Sequence, residues 1–221
     1  MPVLYNMHTH CLSSDNTDGY DVVDILNTYP SSYDEEKKEH PFCLFSCGIH
    51  PWHADDHSLQ QLRVLEAILA QNKDVIAVGE VGLDKLQGEA LSIQSQVFEQ
   101  QVRLAIDYCK PIIIHCVRYW DELIAIKRKC RSKQAWIIHG YRGNTNQAKQ
   151  LSELGFLFSV GYFFNQDAVK QLPFDSLFCE TDDRNTPIID VYRKVADAKE
   201  IDLDSLASIV EMNIKKTFFE K

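Results

Sequence analysis

The fold this sequence predicts is α/β: a single-domain (β/α)8 TIM-like barrel over residues 1–221, with a short or missing first crossover helix. Three observations predict it. Short apolar runs bounded by turn residues alternate with amphipathic stretches along nearly the whole chain. There are eight such runs, the number that closes a parallel barrel. The length of 221 residues is enough for one sizeable core and lies in the range of a small barrel.

The strand candidates are residues 3–10, 22–28, 42–50, 75–80, 112–117, 136–141, 156–163 and 177–182. Runs of four to eight apolar residues of this kind are the mark of parallel strands buried on both faces. In the second, Val22-Val-Asp-Ile-Leu-Asn is long enough for a turn of helix, but its β-branched residues and the Tyr29-Pro30 stop favour a strand. Helices are expected over 58–71, 91–109, 120–129, 145–154 and 204–219. The first of these places Leu59, Leu62, Leu65, Ile68 and Leu69 on one face, and the second repeats Phe98, Val102, Ala105, Ile106 and Cys109 at helical spacing. Only ten residues, rich in Ser, Asp, Asn and Thr, separate His10 from Asp21, so the first crossover is expected to be a loop. No repeat, low-complexity tract or linker interrupts the pattern.

Composition narrows the class. Hydrophobic residues make up 45% and charged residues 25%, as in ordinary globular proteins. The opening Met1-Pro-Val-Leu-Tyr-Asn reads as the start of a strand rather than a leader, and no apolar stretch approaches the ~20 residues of a membrane span. Seven scattered cysteines with no Cys-x-x-Cys pair point to reduced thiols and a cytoplasmic protein. Cys43, Cys47, Cys109, Cys116 and Cys179 sit in or beside apolar runs and are expected in the core. With 23 basic and 32 acidic residues, the net charge of −9 argues against coating nucleic acid with the whole surface. It leaves room for a pocket made positive by divalent cations, which would bring +4 against the −2 of Glu80 and Asp182.

Six residues of metal-binding type stand where apolar runs stop: His8, His10, Glu80, His115, His139 and Asp182. One histidine at a strand end is ordinarily a structural residue, and a lone His-x-His is weak. Six such residues in the same relative position specify a metal centre. His8 and His10 are two apart on a strand and share a side. Imidazole and carboxylate together accept Mg, Mn or Zn. Glu80 can bridge two divalent metal ions, and Asp182 can bind one while taking a proton from water, which ionises near neutral pH when bound to metal. Glu80 and Asp182 are thus the expected catalytic residues. His50, in Gly48-Ile-His-Pro51, is expected to support the site or touch substrate rather than ligate, whereas His40, His53 and His57 lie in polar surroundings. Arg118 and Arg142, just past His115 and His139, suit a phosphate, or else a rim salt bridge. Trp52, Tyr119, Trp120, Tyr141 and Tyr162 are candidates for stacking on a base, or for packing.

These residues form an ordered series: His8-Thr-His10, Gly48-Ile-His-Pro51, Gly79-Glu-Val-Gly-Leu-Asp84, Phe98-x-x-Gln101 with Leu104-Ala105, Pro111-Ile-Ile-Ile-His115, Ile138-His139 with Gly143, Glu180-Thr-Asp182, then Asn213 and Phe218. Across essentially the whole chain, the series resembles the TatD-type metal-dependent hydrolases, a branch of the amidohydrolase-like barrels. The resemblance implies one metal on His8, His10, Glu80 and Asp182, and a second on Glu80, His115 and His139. It also implies that Asp182 orients or deprotonates the attacking water, and that the activity is Mg- or Mn-dependent phosphodiester hydrolysis, often exonucleolytic. The chain departs from the family pattern at four places. Asn6 replaces the usual Asp, and His139-Gly-Tyr-Arg-Gly143 replaces His-Cys-Phe-Ser-Gly. The loop between Asp182 and Arg184-Asn-Thr-Pro187 is nearly absent, and the first crossover is short.

The function expected is hydrolysis of phosphodiesters by a metal-bridged hydroxide, in the manner of a 3′–5′ deoxyribonuclease, with DNA or a small phosphoester as substrate. No membrane and no obligate protein partner is expected. Two rivals remain open at this point. One is a small-molecule amidohydrolase, lactonase or phosphoesterase using the same residues, which the trimmed rim favours. The other is a non-catalytic metal-binding protein.

Overall fold

The structure, a computed structural model, describes residues 2–13 and 17–220. Eight strands form one sheet in chain order, the strand order of a (β/α)8 barrel. They are β1 (Leu4–Thr9), β2 (Val22–Thr28), β3 (Leu44–Cys47), β4 (Val75–Asp84), β5 (Ile112–Val117), β6 (Trp136–Ile138), β7 (Phe156–Val160) and β8 (Leu177–Cys179). The helices are α1 (Tyr33–Glu39), α2 (Ser58–Gln71), α3 (Leu91–Asp107), α4 (Trp120–Cys130), α5 (Thr145–Glu153), α6 (Gln166–Gln171), α7 (Ile188–Lys199) and α8 (Leu203–Ile214), the last followed by a π turn at Lys215–Phe219. Two compact units emerge: Met1–Leu26 with Ile137–Lys221, and Asn27–Trp136.

In the unit of residues 27–136, β3 pairs with β4 and β4 with β5, all parallel. Every one of the ten residues of β4 is buried, which is why its sequence, apart from Glu80 and Asp84, is apolar rather than alternating. The strand runs four residues beyond Glu80 to pair Gly82, Leu83 and Asp84 with His115, Cys116 and Val117. Gly82 makes this possible: at φ +145, a Cβ there would lie 2.0 Å from the His115 carbonyl oxygen. Glu80 therefore sits within its strand, not at the end where the sequence placed it, and His115 lies inside β5, whose bounds are those expected. Helix α3 buries Val97, Phe98, Val102 and Ala105, and also two glutamines. Gln101 clips both backbone groups of Ile49, accepting its N–H at 2.6 Å and donating to its carbonyl at 3.0 Å. Gln94 does the same for Asp84, at 2.8 and 2.9 Å. On α2, Leu62, Leu65, Ile68 and Leu69 face inward as expected, but Leu59 is 57% exposed because its side chain falls on the solvent side of the first turn.

In the other unit, β1 pairs with β2 through Leu4–Val22, Tyr5–Val23 and Asn6–Asp24, and β7 pairs with β8. Thr9 bridges Asp182 in parallel, joining the end of β1 to the segment after β8. Asn213 of α8 donates to the carbonyls of Phe174 and Leu177, fixing the start of β8. The expected helix over 204–219 begins one residue earlier, where the Asp202 side chain caps the Ser205 amide, and loosens to a π turn after Ile214. Residues 11–13 and 17–20 contain no helix; the rest of the expected loop, residues 14–16, lies outside the described residues.

Helices α1, α6 and α7 lie outside the sequence expectation. Helix α1 is highly charged and buries only Tyr33, and α6 is six residues long, so neither carries a periodic stripe. Helix α7 does, with Ile188, Val191, Tyr192 and Val195 buried. Cys47 and Cys179 are core residues, but Cys109 is exposed at the end of α3 in a left-handed turn, and Cys43 and Cys116 are half-buried. All seven cysteines are free thiols. Among the described residues, no helix is long and apolar enough to cross a membrane.

Candidate metal centre

In the unit containing both termini, His8, His10 and Asp182 converge. Nε2 of each histidine lies 3.7 Å from Oδ1 of Asp182. The backbone enforces this meeting: the Asp182 amide donates to the His8 carbonyl at 3.1 Å, and the His10 amide donates to the Asp182 carbonyl at 3.0 Å. Asp182 adopts a left-handed φ of 58°, which turns its backbone as the chain leaves β8. His139 stands beside His8, ring centroids 4.6 Å apart, and forms a second convergent group with Glu180 and Asp182.

Glu180 is fully buried. Its Oε1 accepts the Gly140 amide at 2.7 Å and lies 3.4 Å from Nδ1 of His139. Burial by itself would raise this carboxyl, but the His139 hydrogen bond and the positive character of His139 and His8 outweigh it and hold the group below the usual carboxylate range. A carboxylate behind a metal-binding imidazole fixes the ring and its tautomer.

Asn6 occupies the place where the family pattern has Asp. It is fully buried and ties β1 to β2 and to the segment after β8: its Nδ2 donates to Asp24 at 2.9 Å and to Oγ1 of Thr181 at 2.8 Å, and its Oδ1 accepts the Thr181 amide at 2.9 Å. Asp24, which holds the Asn6 amide across the strand pair, also accepts from the Ser13 amide and hydroxyl.

In the unit of residues 27–136, His50, Glu80 and His115 form a third convergent group. Oε1 of Glu80 is 3.2 Å from Nε2 of His50 and 2.8 Å from Nδ1 of His115. The Glu80 amide donates to Asn27 at 2.8 Å. The other His115 nitrogen, Nε2, lies 3.0 Å from Asp84. Asp84 also accepts the Trp52 indole N–H at 2.7 Å and the Leu86 and Gln87 amides at 2.7 and 3.2 Å. Burial would raise Asp84, but these bonds from Trp52, His115 and Leu86 prevail and lower it. His115 thus has a carboxylate against each ring nitrogen, Glu80 at Nδ1 and Asp84 at Nε2, and His50, Glu80 and His115 each offer a ligand atom close enough to the others to share one cation. The donor set therefore fits a divalent metal.

His50, expected to support the site or touch substrate, has its Nε2 3.2 Å from Glu80 and belongs to the group with Glu80 and His115, while its Nδ1 accepts the Trp52 amide at 3.2 Å. Arg118 and Arg142 are exposed, and neither shows an ion pair among the described residues. Of the candidate stacking residues, Tyr141 is 1% exposed and belongs to the core against Phe158, whereas Trp52 is 46% exposed. Asp84 and Glu180 stand in the motif series but were given no role there, and Asp24 was not singled out by sequence. Each is a carboxylate within or just after an apolar run, and that was the available signal.

The family model described as TatD related DNase matches residues 22–219. The chain is 30% identical over 203 residues to the Bacillus subtilis protein YabD, described as an uncharacterized metal-dependent hydrolase, covering 82% of this chain and 79% of that one. It is 28% identical over 194 residues to a Haemophilus influenzae protein of the same description, covering 79% and 74%. The crystal structure of YjjV, a TatD homolog from Escherichia coli, superposes with a TM-score of 0.83 at 22% identity, covering 99% of this chain and 98% of that one.

Proposed function

The chain belongs to the TatD-related DNase family of metal-dependent hydrolases, and we propose that within it the protein cleaves phosphodiester bonds of DNA, working from the 3′ end of a strand. The observation that carries the reading is the convergence of histidine and carboxylate donors in groups, His8–His10–Asp182 and His50–Glu80–His115. The ligands proposed for two divalent ions, Mg, Mn or Zn, are His8, His10, Glu80, His115, His139 and Asp182. Bound there, the ions would neutralise phosphoryl charge and acidify water.

The protein's own groups do the rest. Asp182 is partly exposed, held by two backbone bonds, and takes the proton of the attacking water. Glu80, anchored through its amide to Asn27, holds its carboxylate 2.8 Å from Nδ1 of His115, where it would serve as a ligand. Asp84 and Glu180 keep the rings of His115 and His139 in fixed orientation. Arg118 and Arg142, exposed and unpaired, offer planar N–H pairs to phosphate oxygens. The seven free thiols support a cytoplasmic setting.

A second reading, a small-molecule hydrolase, is favoured by a cavity lined by Tyr29, Trp52, His53, Asp55 and Glu89. Its two carboxylates disfavour a polyanion there. Bis(p-nitrophenyl) phosphate with Mn²⁺ tests the chemistry without the polymer: turnover that EDTA abolishes, and that Asp182→Asn lowers about 100-fold or more, supports the phosphodiesterase reading. Absence of turnover on this diester and on DNA, with amide or lactone hydrolysis present, overturns it.

A further inference from the structure

The segment that follows β7 carries Tyr162-Phe163-Phe164, and two cations from later in the chain lie against it. Nζ of Lys194, on α7, is 3.9 Å from the Tyr162 ring centroid and 5.6 Å from those of Phe163 and Phe164, and donates to the Tyr162 carbonyl at 2.7 Å. The Arg184 guanidinium lies 4.6 Å from the Phe163 centroid. Arg184 is two residues beyond Asp182, and its amide donates to the Thr181 carbonyl at 3.2 Å, so its position is tied to the turn that presents Asp182.

The two cations are used differently. Lys194 is half-buried and spends a hydrogen bond on the backbone, so it braces the aromatic segment. Arg184 is exposed, and its guanidinium N–H groups have no protein acceptor among the described residues. Phe163 is 51% exposed, so part of its ring is open to a ligand. An aromatic face open to solvent, capped by a guanidinium with free donors, meets both needs of a nucleotide: a surface for the base and a partner for the phosphate. Charge complementarity selects the occupant. Asp182 and Asp183 adjoin Arg184 in sequence and disfavour any anion that cannot pair with the guanidinium, whereas a nucleotide can place its phosphate on Arg184 and its base on Phe163 together.

We propose that Phe163 and Arg184 form a subsite for one nucleotide of single-stranded DNA, the base stacked on Phe163 and its phosphate paired with Arg184. The proposal rests on the phosphodiesterase reading above and adds to it the residues that hold the polymer.

The test uses the full chain, a fluorescein-labelled ten-nucleotide oligothymidylate, and the same oligonucleotide with abasic sites. Binding is followed by anisotropy with Ca²⁺, and cleavage with Mn²⁺; melting temperatures confirm that each variant folds. Phe163→Ala is expected to raise Kd and KM for the oligonucleotide about 5- to 100-fold with a smaller change in kcat, and to abolish the preference for the intact over the abasic strand. Phe163→Trp is expected to restore both. Arg184→Gln is expected to lower the salt dependence of binding by about one phosphate contact. If Phe163→Ala binds and cleaves the oligonucleotide as the wild type does, or if the wild type binds the abasic strand equally well, the subsite is overturned and the phosphodiesterase reading stands. If the wild type neither binds nor cleaves the oligonucleotide but hydrolyses bis(p-nitrophenyl) phosphate, both the subsite and the DNA reading fall, and a small phosphodiester takes their place.

Discussion

The Asp84 carboxylate holds Nε2 of His115 at 3.0 Å and, through the same oxygen, accepts the Trp52 indole N–H at 2.7 Å. One carboxylate thus links a half-exposed aromatic ring to a candidate metal ligand, and Gln94 in turn clips the Asp84 backbone to α3. Asp84→Asn keeps the shape but loses the charge that fixes the His115 tautomer. Affinity for Mn²⁺ is expected to fall about 10- to 100-fold, read by metal titration of the stripped protein. Trp52→Phe, which leaves the Asp84–His115 bond in place, is expected to cost less. Equal losses in the two variants would show that Asp84 acts through packing rather than through His115.

Glu180 has the same relation to His139, and its burial adds a consequence for stability. Its carboxyl is held below the usual range in the folded protein, because the His139 bond and charge outweigh desolvation. A group lowered on folding stabilises the fold above its unfolded value, near ~4.3 for Glu, and loses that contribution as pH falls through the lowered value. Denaturant unfolding of wild type from pH 7 to pH 3 should therefore show stability falling at the acid end. Glu180→Gln should be less stable at pH 7 and show a shallower acid loss. A variant curve parallel to the wild type would remove Glu180 as a source of the acid sensitivity.

Asn6 explains itself through Asp24. A carboxylate at position 6 would face Asp24 across 2.9 Å, where the amide now donates. Two carboxylates so placed resist joint ionisation, and one takes up a proton on folding. Asn6→Asp is expected to destabilise the protein by about 3 kcal/mol near pH 7, with the penalty shrinking as pH falls toward the ordinary carboxylate range. Adding Asp24→Asn should recover most of the loss by exchanging the two roles. Full stability of the single variant at pH 7 would contradict this account of the departure from the family pattern.

The strands were legible because parallel strands buried on both faces read as apolar runs, as the opening residues of Val75–Asp84 and Ile112–Val117 do. Their ends were less so. Gly82 lets β4 continue past Glu80, and β8 stops at Cys179 where Glu180 and Thr181 turn their polar groups to Gly140 and Asn6. The metal-type residues were legible as residue types after apolar runs. Their supports were not, because Asp84 meets His115 31 residues away and Glu180 meets Gly140 40 residues away. The ligand range of His50 was hidden for the same reason: it depends on Glu80, brought to it by the pairing of β3 with β4.

The most direct test of the central claim is degradation of a 5′-labelled single-stranded DNA oligonucleotide by the metal-stripped protein. Mg²⁺ or Mn²⁺ is added back, with an EDTA control and Asp182→Asn alongside. The account predicts a metal-dependent ladder that shortens from the 3′ end and is lost in the variant. A protein that binds metal stoichiometrically yet leaves the strand intact, or an Asp182→Asn variant that cleaves at the wild-type rate, would contradict it.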